Sequence, residues 1–175
     1  GSRQTINYPR LRCWIKKMKK ILFIICGVFL FLLPVKSWAA IAFDTSSTTV
    51  DAVGTTISWD HAITGTATIF FVSAKGNATD TITSVTYNSV NLTRIAQLNT
   101  SGTADLSLWY LINPTTGTNT ATINSSSSTT LRGKASSFTG ARQSDVPDAS
   151  ATKLVLSAAG VDQSVTTICD NAWLV

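Results

Sequence analysis

Residues 85–96 of the chain read VTYNSVNLTRIA. It holds two runs in which apolar and polar side chains alternate, and Asn88 and Ser89 lie between them. An alternation with a period of two is typical of a strand with one buried face, and Asn and Ser are favoured in tight turns. The stretch therefore predicts a β-hairpin in which Tyr87 packs on the apolar side.

Comparable runs continue along the chain from Ile41 onward, separated by clusters of Gly, Asn, Asp, Ser and Pro. Alternation in TTISWDHA, residues 55–62, places Trp59 on the inner face, whereas TATIFFVSA, residues 66–74, is apolar on both faces, as in a central strand. Pro114 ends a further strand, because proline cannot continue a ladder of hydrogen bonds. No segment predicts a helix, and the predicted strands lie near 41–43, 47–51, 55–61, 66–74, 82–87, 91–97, 105–112, 118–124, 132–139, 153–157, 164–168 and 171–175.

The composition supports this all-β interpretation. Residues 40–175 contain 44 Ser and Thr side chains, and Glu, a common helix residue, is absent from the chain. The tract SSSSTT, residues 125–130, predicts a solvated loop. Residues 1–39 hold eight of the fourteen basic residues, whereas residues 40–175 carry six basic and nine acidic residues. The resulting net charge of −3 excludes the basic surface through which proteins bind nucleic acids.

The N-terminal segment has the order of a secretory signal peptide. Met18 is followed by two lysines, the apolar run ILFIICGVFLFLL and the segment VKSWAA. The apolar run has 13 residues, and a helix needs about 20 to span a bilayer. Ser37 and Ala39 supply the small side chains that precede a cleavage site, so we predict cleavage between Ala39 and Ala40, with membrane contact only before it. A retained N-terminal anchor is the alternative.

This division predicts three segments. We expect residues 1–17 to be upstream or fragment-edge sequence, residues 18–39 the signal peptide, and residues 40–175 a single β-sandwich domain. The chain ends within the apolar run AWLV, which leads us to expect that the domain is incomplete at its C-terminus. Cys169 is the one cysteine after the leader, and its surroundings are typical of a small buried hydrophobe rather than a reactive thiol.

The sequence offers little for catalysis. His61 is the only histidine and has no GxSxG motif to serve, so we interpret it as a core or rim histidine rather than a general base. Glycoside hydrolysis needs two carboxylates close together, for which Asp145 and Asp148 are candidates, but the acid is commonly Glu, which is absent, and QSDVPDAS is typical of a turn. One His and one Cys after the leader do not make a zinc ligand set. We therefore expect no enzyme and no catalytic residue.

The sequence also contains candidate sites for calcium, for sugars and for glycosylation. Calcium is one candidate, because sandwich loops bind it through carboxylates, and six aspartates lie in or near predicted loops or strand ends: Asp44, Asp51, Asp145, Asp148, Asp162 and Asp170. None forms the DxDxDG spacing, so we expect no cofactor, with calcium as the open alternative. Trp109 is the candidate sugar platform, on the face opposite Leu106 and Leu108, although a second buried face explains it equally well. Asn-x-Ser/Thr triplets, which matter only in a glycosylating host, begin at Asn77, Asn91, Asn99 and Asn124.

Three stretches together resemble a family of modules in large secreted bacterial proteins: VTYNSVNLTRIA (85–96), LSLWYLINPTTGTNTATI (106–123) and KASSFTGARQSDVPDAS (134–150). That family is an uncharacterised, jelly-roll-like β-sandwich, often repeated or joined to other sandwich domains on secreted or surface proteins. The resemblance covers residues 41–175 and rests on hairpin and turn residues, so it implies a fold rather than an activity. A glycine often stands in the family's first hairpin turn, where this chain has Asn88 and Ser89.

From these features we expect an all-β fold, an antiparallel, jelly-roll-like β-sandwich truncated at its C-terminus. The expected function is that of a noncatalytic extracellular module for structure, adhesion or ligand binding, on a bacterial surface or in a secreted multidomain protein. Its expected partners are other domains of that protein or a surface polysaccharide, and not nucleic acid. The alternative function is that of a carbohydrate-binding domain attached to a secreted glycoside-active enzyme.

Overall fold

A computed structural model describes residues 40–48, 50–77, 82–100, 104–153 and 163–168. Strand accounts for 67% of these residues. The described ranges contain no helix, and hence none that is long and apolar enough to cross a membrane. The prediction of an antiparallel all-β fold is confirmed, and the sheet curves until it is nearly closed on itself.

The described residues form eight strands, and all strand pairings are antiparallel. Along the main path of the sheet the order is β5-β4-β8-β3-β7-β6, while β1 and β2 pair with β8 outside that path. The bounds of the strands are β1 Ala42–Ser46, β2 Val50–Ile63, β3 Ile69–Gly76, β4 Ile82–Tyr87, β5 Val90–Asn91, β6 Thr93–Thr100, β7 Ala104–Ile112 and β8 Gly117–Thr139.

The longest strand, β8, has 23 residues and organises the sheet. Strands β1 and β2 follow each other along one edge of β8, from Ala42 opposite Thr139 to Ile63 opposite Gly117. On the other edge, β4 pairs with the first half of β8 and β3 with its second half. Both parts of the sheet are therefore connected through one strand.

A bulge divides β8 in the middle. The partner of Gly54 is Thr129 and that of Thr56 is Asn124, so four serines of β8 stand opposite the single residue Thr55. The predicted loop at 125–130 is wrong, because this polar tract lies within β8 and its ends are paired, with Ser125 opposite Ile82 of β4 and Thr129 opposite Gly54 of β2. Its side chains are still solvated, since residues 126–128 are exposed. A bulge in which one strand has more residues than its partner bends that strand locally.

The two halves of β8 pack against each other across this bend. Trp59 lies opposite Ala121 in the first half, yet its ring touches Gly133 in the second half. A Cβ atom on Gly133 would lie 2.5 Å from Trp59 Cη2 and 2.7 Å from Ile123 Cδ1. Because both halves contribute to one core, Trp59 and Ile123 belong to the same buried cluster as Leu131 and Ala135.

Several local predictions are confirmed. Asn88 and Ser89 form the hairpin turn with φ of 48° and 65°, and Tyr87 is buried beside it. Trp59 points inward, and β7 ends before Pro114. The predicted strand at 164–168 is wrong, because no pairing partner reaches these mostly exposed residues within the described ranges. The predicted strand at 171–175 and Cys169 lie outside the described residues, as does all of the predicted strand at 153–157 except Lys153.

Candidate binding groove

The sheet formed by β6, β7, β3 and the second half of β8 has an inner and an outer face. Inner side chains such as Phe70 and Val72 of β3 are fully buried. The alternate positions point away from the core, among them Phe71 of β3, Leu106 of β7 and Lys134 of β8. Alternation within each strand therefore creates a second surface, which is partly apolar.

This outer face carries a groove of about 380 Å³. Most of its apolar residues come from β6 and β7, the two strands at the end of the sheet, whereas β3 and β8 contribute two serines and Lys134 beside Phe71. Leu106 is the most exposed of the leucines that line it, at 48%. The residues that line the groove include Phe71, Ser73, Ala96, Leu98, Leu106, Leu108, Lys134, Ser136 and Thr152.

The chain that follows β8 packs on the same outer face. The hydroxyl of Tyr110, an outward residue of β7, donates a hydrogen bond of 2.7 Å to the carbonyl of Val146. Further along, Thr152 lines one side of the groove. The segment at 140–153 thus covers part of the outer face and leaves the part around Leu98 and Leu106 open.

Trp109 is not available as a sugar platform. Its side chain is only 6% exposed, and its indole Nε1 donates a hydrogen bond of 2.8 Å to Ser107 Oγ. The guanidinium carbon of Arg94 lies 5.4 Å from the centre of the ring, at cation–π distance. The sequence analysis placed Trp109 on the outer face. The residues around it are apolar at both alternating sets of positions, so the sequence alone does not show which set faces the core. The surface candidates are instead Leu106 and Leu108.

A polar cluster with a buried centre at His61 and Ser137 joins β1, β2 and β8. The Ser137 hydroxyl donates a hydrogen bond of 2.7 Å to Asp44 Oδ2 and lies 3.2 Å from His61 Nε2. Thr45 Oγ1 lies 3.1 Å from both the same histidine nitrogen and the Ser137 hydroxyl. Thr64 also donates to Asp44, through its hydroxyl and its backbone N–H.

Burial sets the ionisation of His61, whereas hydrogen bonds set that of Asp44. Desolvation lowers the pKa of His61, and the nearby negative charge of Asp44 only partly opposes it. Desolvation raises the pKa of Asp44, but hydrogen bonds from Thr64 and Ser137 and the charge of His61 outweigh it, so that this pKa lies below its ordinary value. The cluster therefore favours a neutral imidazole beside a carboxylate.

The cluster has the residue types of a hydrolytic triad without its arrangement. In a triad the carboxylate orients the histidine, whereas Asp44 accepts its hydrogen bonds from Ser137 and Thr64. Ser137 is 0% exposed and His61 is 2% exposed, so neither group reaches solvent. The interpretation of His61 as a core histidine agrees with this burial. Sequence reasoning missed Ser137, because it lies 76 residues from His61.

The calcium candidates occupy separate places with partners of their own. Asp51 pairs with Arg132, Asp145 with Arg142, and Asp148 accepts the backbone N–H of Ile168 at 2.7 Å. Among the described residues no group of three His, Cys, Asp or Glu side chains is placed to hold a metal ion. Asp162, Asp170 and Ala39 lie outside those residues, and Ala40 is exposed. Calcium binding and the cleavage site stay predictions.

The fold and the groove together define an all-β protein with a partly apolar outer surface. Comparison of the chain with protein-family models, curated proteins and solved structures finds no match. The resemblance to modules of secreted bacterial proteins therefore stays an expectation.

Proposed function

We propose that residues 40–175 form a jelly-roll-like β-sandwich that is exported by the leader and cleaved between Ala39 and Ala40. In this proposal it acts as a noncatalytic extracellular module for structure, adhesion or ligand binding. The contact between Trp59 and Gly133 supports a two-layered architecture, because it joins the inner faces of two parts of the sheet. The signal-peptide order of residues 18–39 supports export.

The observation that carries the binding role is the outer-face groove. Its volume of about 380 Å³ lies within the usual range of about 300–1,000 Å³ for small-molecule sites. Its apolar component comes mainly from the exposed Leu106 and the half-buried Leu98 and Leu108. The groove therefore favours a partner with an apolar part over a purely polar saccharide.

The variant Leu106→Asp tests this role. A charge in the apolar part of the groove should weaken binding of the uncharged apolar dye Nile red at least about tenfold, because the dye loses its contact surface and meets a hydrated carboxylate. The measurement is a fluorescence titration of the purified full chain. The leader is identical in all variants, so its apolar run adds equally to every signal.

The matched control is Val53→Asp, which adds the same charge at an apolar strand residue that is 76% exposed and not among those lining the groove. Its affinity for Nile red should stay within about twofold of the unsubstituted chain, since surface changes of this kind have small effects. Equal affinities for Leu106→Asp and the unsubstituted chain would contradict a binding role of the groove.

A further inference from the structure

The groove has a cationic end as well as an apolar end. Lys134 lies on β8, and in the described part of the chain no carboxylate is within ion-pair distance of its amine. Its neighbour Arg132 on the same face is already paired with Asp51. The hydroxyls of Ser73 and Ser136 stand beside Lys134 in the groove and add hydrogen-bond donors.

The apolar end of the groove lies on β7 and β6, two and three strands away from Lys134 on β8. Leu98 of β6 and Leu106 of β7 are opposite each other in the ladder, and Leu108 follows on the same face. The order β8-β3-β7-β6 separates them from Lys134 by up to three strand spacings, which is about 14 Å at about 4.8 Å for each spacing. A ligand that uses both ends needs an apolar chain of that length with an anionic group at one end.

We infer that the outer-face groove binds a free single-chain anionic amphiphile of the fatty-acid type. Its carboxylate lies at Lys134 with Ser73 and Ser136, and its alkyl chain crosses β3 toward Leu106 and Leu98. The ammonium and hydroxyl groups hold the carboxylate through charge-assisted hydrogen bonds, and the leucines remove the chain from water. This inference rests on the proposed function and names the ligand class of the same groove.

The test compares dodecanoate with dodecanol in calorimetric titrations of the full chain, below the concentration at which dodecanoate forms micelles. We expect one dodecanoate for each chain and binding of dodecanol that is at least about tenfold weaker, because dodecanol lacks the charge. In Lys134→Met the affinity for dodecanoate should fall to that for dodecanol, while the affinity for dodecanol stays unchanged. In Leu106→Asp both affinities should fall.

The matched control is Arg132→Met, which removes the same charge from the same face while leaving Lys134 in place. Its affinity for dodecanoate should equal that of the unsubstituted chain within about twofold. An equal loss in Arg132→Met and Lys134→Met would overturn the inference, because the effect would then reflect overall charge.

Other outcomes separate this inference from the proposed function. Equal binding of dodecanoate and dodecanol, insensitive to Lys134→Met but weakened by Leu106→Asp, overturns the anionic ligand and leaves the apolar groove intact. If the unsubstituted chain binds neither dodecanoate nor dodecanol, and if Leu106→Asp leaves the affinity for Nile red unchanged, both proposals are overturned. Sedimentation with phosphatidylglycerol vesicles in the absence of dodecanoate binding overturns the free amphiphile in favour of a bilayer surface.

Discussion

Gly133→Ala is expected to destabilise the fold by about 1–3 kcal/mol, the usual cost of an extra methyl group in a filled core. The new Cβ would lie 2.5 Å and 2.7 Å from two carbons of the Trp59 ring and 2.7 Å from Ile123 Cδ1. These neighbours are buried and closely packed, so the two halves of β8 must move apart. The measurement is the free energy of unfolding from urea denaturation.

Two further variants show whether the cost comes from this contact. Gly54→Ala on β2 adds the same methyl group where the nearest atom lies 3.5 Å away, at ordinary contact distance, and should leave stability unchanged or raise it by up to about 1 kcal/mol. Adding Trp59→Phe to Gly133→Ala should cost less than the two separate losses combined, because the smaller ring makes room. Equal effects of Gly133→Ala and Gly54→Ala, or strict additivity of the double variant, would contradict the packing described above.

Acidification should destabilise the protein through His61. Its pKa is below the ordinary value of 6.5 in the folded state, so the unfolded chain binds the proton more readily. The stabilising contribution is complete above pH 6.5 and is lost as the pH falls through the folded pKa. The pKa of Asp44 is lowered from 3.8, so the loss that comes from its protonation begins only below that pH. Urea denaturation between about pH 7.5 and 5 is therefore a test of the one histidine.

His61→Gln is the matched variant for this measurement. It should be less stable at every pH, because it loses the ring that packs 4.9 Å from the centre of the Phe70 ring. Its stability should, however, be flat between about pH 7.5 and 5, since no other side chain has an ordinary pKa in that range. The same fall in stability for His61→Gln and the unsubstituted chain would show that His61 is not the group responsible.

Local sequence predicted the elements in which the alternation of apolar and polar side chains leaves only one face that can be buried. The hairpin at Asn88 and Ser89 and the inward direction of Trp59 follow from neighbouring residues alone. In the run LWYLI of β7 both parities are apolar, so the core decided which face Trp109 takes, and that choice depends on β3 and β6. The strand conformation of the serine tract likewise depends on residues far away in sequence, since Ser125 pairs with Ile82 of β4 and Thr129 with Gly54 of β2.

The candidate site was beyond the reach of local patterns. The groove takes residues from four strands, and Leu98 and Lys134 are brought to one face only by the order β8-β3-β7-β6. The buried cluster similarly brings Asp44 of β1 to Ser137 of β8 through pairing across the whole domain. The sequence of one strand, taken without its pairing partners, contains no local signal of either arrangement.

β8 bends at its serine bulge, so that Trp59 packs on Gly133. The most direct measurement is a nuclear Overhauser experiment on the isotope-labelled chain. We predict strong cross-peaks between the Hη2 and Hζ3 protons of Trp59 and the Hα protons of Gly133, with the Gly133 Hα resonances shifted upfield by the ring. Ordinary chemical shifts of the Gly133 Hα protons, with no cross-peak to the Trp59 ring, would contradict this packing.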